Sequence, residues 1–126
     1  WDGLWVRSAT PPAVGDAVTV RGTVSETDAS GLAGTTILTG TTVTIDSHGA
    51  ALPDPGVVGS AAAVTEAYEG VRVEVLGATC GRTNVRLGEW VVDDGSGPAR
   101  VGLLGCTFVP TLGTSYDVTG PVAYAD

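Results

Sequence analysis

Lysine is absent from this 126-residue chain, and so is methionine. The 6 basic residues are all arginine, set against 14 acidic ones, for a net charge of −8. Without lysine there is no Gly-rich, Lys-ended loop to cradle phosphate. The shortage of cations also argues against a polyanionic partner, because affinity for nucleic acid comes largely from cations that neutralise phosphates. Histidine occurs once, as His48, directly after Asp46 and Ser47. Successive strand residues point to opposite faces, so these three form no triad by themselves. Glu66 and Glu69 read as a solvated helix face rather than an acid/base pair. Two cysteines and one distant histidine make no zinc set. No run of about 20 apolar residues occurs, which leaves no helical membrane span. These absences together predict a protein that is not an enzyme.

What is present is glycine (19 residues), proline (7), and many short runs rich in valine and threonine. Val/Thr strands cut by Gly and Pro indicate an all-β chain, and the length suits one domain over residues 1–126. Alternation predicts strands at 4–8, 17–25, 35–38, 41–46, 71–79, 89–93, 98–104 and 115–124. Pro53 and Pro55 mark residues 51–59 as a crossing without ladder bonds. One short helix is expected from Ser60 to Tyr68, capped by Ser60 and ended by Gly70. Two loosely similar halves, about 1–58 and 60–126, repeat a strand-turn-strand grammar. Gly22, Gly77 and Gly120 sit inside strands, where glycine suits a bend or bulge. The architecture expected is a small OB-like β-barrel with Greek-key character.

Cys80 and Cys106 are expected to pair as a disulfide worth about 3–4 kcal/mol in the chain-entropy model. That expectation follows from an acidic, lysine-free, Thr-rich composition of secreted, extracellular character. The Trp1 start suggests a processed chain or a fragment. The turn Asp93-Asp94-Gly95-Ser96 offers Asp93, Asp94 and Ser96 as oxygen ligands for calcium, although Asp-Gly is also the preferred hairpin turn. Calcium shared between subunits would draw on Asp28, Asp46, Asp54 or Asp117.

The segment Val14 to Glu26, the crossing Leu52 to Pro55, Ala67 to Val73, and Gly88 to Gly95 resemble the OB-fold domain that accompanies secreted bacterial nucleases of the endonuclease/exonuclease/phosphatase class. The resemblance covers most of the chain and rests on strands and turns. It implies an OB-like barrel, an extracellular setting and oligonucleotide contact, and it transfers no catalytic residue. In such folds Trp5, Tyr68 and Trp90 would stack bases, and Arg7, Arg21, Arg72 and Arg100 would meet phosphate, although Trp5 and Trp90 sit within apolar strand runs that better suit a core. Against this stands the excess of carboxylates. The first expectation is therefore a non-catalytic structural or interaction module. It would assemble with copies of itself or another extracellular protein through open strand edges, as a filament or surface-layer subunit, with Trp1 docking on a neighbour. The second is a single-strand-binding accessory domain of a secreted nuclease.

Overall fold

The computed structural model describes residues 3–27, 34–84, 88–102 and 106–123. The elements run β1 (Trp5–Val6), β2 (Ala17–Thr27), β3 (Thr35–Ser47), β4 (Gly56–Val57), α1 (Ser60–Ala63), a 3-10 turn at Glu66–Tyr68, β5 (Arg72–Arg82), β6 (Trp90–Asp93), β7 (Ala99–Val101) and β8 (Ser115–Pro121). The chain is all-β, as its composition predicts. Its described strands form two sheets: β1-β3-β2, and a five-stranded one in which β5 pairs with β4, β6 and β8, and β6 with β7. No closed barrel joins them among the described residues.

Each sheet is bent by the same device. In β3, three steps from Thr39 to Thr42 oppose two steps from Thr23 to Arg21. The extra residue is absorbed by Gly40, whose φ of 58° is open to glycine at no steric cost. Gly22 lies opposite and must also be small, because a Cβ there would stand 2.8 Å from the Thr39 carbonyl oxygen. In β5, three steps from Val75 to Ala78 oppose two from Val118 to Tyr116. Gly77 takes a φ of 61°, and its N–H donates to Asp117 Oδ1 at 2.8 Å. The bulge flips the alternation, so Val73 and Val75 point inward before it and Ala78 and Cys80 after it.

Those four side chains join Ala63, Trp90, Val92, Ala99 and Val122 in the core, with Val58, Tyr68, Val71, Val101, Tyr116 and Val118 packed around them. Burial of each valine contributes about 1.5–3 kcal/mol. The three-stranded sheet buries Ile37, Thr27 and Thr35. It is tied to the rest where the Trp5 indole N–H donates to the Val122 carbonyl at 2.9 Å and the Thr36 N–H to Glu69 Oε1.

Several expectations are corrected. The segments 35–38 and 41–46 are one strand, kinked at Gly40 rather than interrupted. The crossing at 51–59 does make ladder contacts, since Gly56 and Val57 pair in parallel with Val73 and Glu74. The helix is shorter than expected and breaks at Val64–Thr65. Its N-cap is Gly59, and the Ser60 side chain does not cap it. Gly120 is in regular register with Val73 and marks no bulge. The Cys80–Cys106 bridge is not formed. Cys80 is buried on the inner face of β5 while Cys106 is exposed, and both thiols are free.

Candidate functional site

The β6–β7 hairpin gathers most of the chemistry-bearing side chains, and register decides what each face carries. Val92 lies opposite both Cys80 and Ala99, and Trp90 opposite Val101. This is the inner face. Trp90 is buried there, with its ring 5.3 Å from Tyr116 edge-on and 5.8 Å from Phe108. The next residue along, Val91, lies opposite Arg82 on β5 and Arg100 on β7. The outer face therefore carries a row Arg82–Val91–Arg100 across three strands. The row lines an open trough of about 390 Å³ together with Pro98 and Ala99. Glu89 Oε2 approaches Arg100 Nη1 at 3.6 Å from one side.

The turn between the strands is closed by its own acids. Asp93 Oδ1 accepts the N–H groups of Gly95 and Gly97 at 2.7 and 3.1 Å. Asp94 accepts from the Ser96 hydroxyl and N–H and from the Ser60 hydroxyl at 2.7 Å. Ser60 is fully buried and its hydroxyl also lies 2.6 Å from the Gly97 carbonyl oxygen. The turn is thus clasped to the first residue of α1. Hydrogen bonds from Ser96 first, then Ser60, hold the Asp94 carboxyl far below its ordinary range. Among the described residues no group of three or more His, Cys, Asp or Glu side chains is placed to hold a metal ion.

This clasp yields an acid-sensitivity prediction. A carboxyl depressed in the fold binds fewer protons folded than unfolded. Its contribution is complete above about pH 4, the unfolded carboxyl range, and is lost as pH falls further towards the folded value. Urea denaturation between neutral pH and about pH 2 should show stability falling with acid, and Asp94→Asn should flatten that slope. Ser60→Ala, which strands the partners of a buried hydroxyl, should cost about 1–3 kcal/mol at neutral pH. A Ser60→Ala protein as stable as the parent would show that the clasp is idle.

The other expected site residues fall in separate places. Trp5 is half-buried with its N–H committed to Val122, Tyr68 is half-buried and packed against the core, and Trp90 is buried. Trp1 and Asp28 lie outside the described residues. Arg7 and Arg21 belong to the three-stranded sheet. Arg72 begins β5, bonded to the Pro53 carbonyl, whereas Arg100 stands beside the other end of that strand. Asp46 accepts from Thr19, and Asp117 holds the β5 bulge. Asp54 stands on the exposed crossing. His48 Nδ1 lies 2.6 Å from Asp16 Oδ1, which lowers the Asp16 pKa. Sequence reading passed over Arg82, Glu89 and Val91 as a group, and Ser60 as the clasp. Arg82 has the parity of the inward Cys80 and reaches the outer face through a second register shift, between Cys80 and Arg82, which alternation alone does not reveal.

Searches against protein-family models, curated proteins and solved structures find no match.

Proposed function

We propose that this chain is a non-catalytic contact module that associates with copies of itself through open strand edges, in an extracellular setting. The observation that carries the reading is the edge of β2. Its eleven residues pair only with β3 among the described residues. An unpaired strand edge is a template for another strand, and natural proteins usually blunt such edges with lysine, proline or an inward charge. β2 has neither lysine nor proline. On one face it carries Val18, Val20 and Val24, and Val24 is 65% exposed. Val24 lies opposite Leu38, and Leu38 opposite Val6, so an apolar row runs across the whole sheet to that edge.

The strand is also self-complementary. Antiparallel pairing of two copies about Gly22 sets Val20 against Val24 and Ala17 against Thr27, with no like charges opposed. β8 presents a second open edge, since among the described residues it pairs as a strand only with β5. Pairing of β2 with β2 closes a dimer, whereas β2 on β8 of the next copy propagates a filament.

Sedimentation velocity over a wide concentration range, with electron microscopy of the concentrated samples, tests the reading. Association is expected, and it should strengthen with salt, because each copy carries −8 and screening relieves their mutual repulsion. Val24→Lys places a charge on the edge and should weaken association about tenfold or more. A parent protein that stays monomeric throughout removes the reading.

A further inference from the structure

The geometry points to a second surface, independent of the β2 edge: the Arg82–Val91–Arg100 trough is a docking site for an acidic polypeptide segment. A chain with 6 arginines and 14 acids places two of those arginines in one cross-strand row. Neighbouring strands lie about 4.8 Å apart, so the two Cα atoms are separated by roughly 10 Å with Val91 between them. Both arginines are exposed, and Arg100 keeps 56% of its side chain in solvent. Two guanidinium forks rising on either side of a half-buried valine suit carboxylates at alternate positions of an extended strand, about 7 Å apart. The apolar floor of Val91 and Pro98 takes the stems of those side chains.

The choice of polypeptide over nucleic acid rests on what the outer face lacks. Single-strand binders pair a positive groove with aromatic platforms. Here Trp90 points to the opposite face of the same strand and is packed with Phe108 and Tyr116. Two cations, one of them shared with Glu89, neutralise too little of a phosphate backbone to overcome the field of a −8 chain. A peptide segment with two carboxylates meets that field only weakly.

Glu89 completes the assignment. Among the described residues its Oε2 is buried without a hydrogen bond, and the cation facing it is Arg100 at 3.6 Å, beyond hydrogen-bonding distance. It is a resident competitor for Arg100 that an incoming carboxylate displaces.

The test is an NMR titration of the whole chain with a capped Thr-Glu-Thr-Glu-Thr peptide, set beside oligothymidylate and inorganic phosphate. Saturable shifts at the amides of Arg82, Val91 and Arg100 are expected with the peptide, and salt should weaken them. Arg82→Gln with Arg100→Gln should lower the affinity about tenfold or more. Glu89→Gln removes the competitor and should tighten binding severalfold, a gain that a misfolded variant cannot imitate. Absence of saturable peptide binding overturns the proposal, as does affinity unchanged in these variants. Tighter binding of oligothymidylate at the same amides makes the surface a nucleic-acid face, and phosphate competing as well as the peptide makes it an isolated anion site. Either result also overturns it. The salt responses of this site and of the β2 edge run in opposite directions, so the failure of one is distinguishable from the failure of the other.

Discussion

Trp90→Ala is expected to remove about 3–5 kcal/mol of stability, a large share of the 5–15 kcal/mol typical of a whole domain. The side chain is 3% exposed and forms one corner of a three-ring cluster with Phe108 and Tyr116, whose own rings lie 5.3 Å apart edge to face. Removing it empties the space between β6 and β8 and deprives both neighbours of their ring contacts. A second variant identifies which part of the ring matters. The Trp90 Nε1 donor is buried with no acceptor among the described residues, and such an orphan costs about 1–3 kcal/mol in the folded state. Trp90→Phe deletes that donor while keeping an aromatic ring, so its cavity loss is offset and its net cost should stay below about 1.5 kcal/mol. Equilibrium urea unfolding followed by far-ultraviolet circular dichroism measures both. An alanine variant within about 1 kcal/mol of the parent would mean that the cluster is not the centre of the core. Equal costs for alanine and phenylalanine would mean that the ring stacking contributes nothing.

The alternation that made β2 and β5 legible in sequence is a local property, and it fails where the backbone spends an extra residue. Val71, Val73 and Val75 announce a strand, but Gly77 shifts the phase by one. The inward positions then become Ala78 and Cys80, and a period-two reading loses the strand before Arg82. The same failure at Gly40 split β3 into two. The Asp93–Gly97 turn was legible because Asp-Gly chemistry is contained within five consecutive residues. Its clasp to Ser60 was not, because the partners are 34 residues apart and Ser60 looked equally suited to capping its own helix. Trp5 and Trp90 were legible as strand aromatics, but which face each occupies depends on register. The Arg82–Val91–Arg100 row was illegible for that reason as well: it exists only once three strands are aligned. The disulfide expectation failed on direction, since one thiol faces the core and the other solvent.

The junction between the two sheets predicts the second large effect. The Val122 carbonyl accepts from the Trp5 indole and from the Gly70 N–H, both at 2.9 Å. Those bonds require the backbone at Gly70 to pass almost in contact with that at Gly3. A Cβ on Gly70 would stand 2.6 Å from the Gly3 carbonyl carbon, and one on Gly3 would stand 1.8 Å from the Gly70 oxygen. Gly70 also holds a φ of 73°, in the left-handed region. Gly70→Val thus combines a disfavoured backbone, about 1–3 kcal/mol, with a clash against rigid main chain of about 1–3 kcal/mol more. Loss of the Val122 bonds should follow, exposing Trp5 and shifting its fluorescence to the red. Gly49 provides the control, because its φ is also 73° but a Cβ there meets nothing within 4 Å. Gly49→Ala should cost only the backbone share, about 1–2 kcal/mol, and leave the fluorescence unchanged. Gly70→Ala should cost clearly more. If the two alanine variants unfold at the same urea concentration, the close passage of Gly3 over Gly70 imposes no steric constraint on the junction of the two sheets.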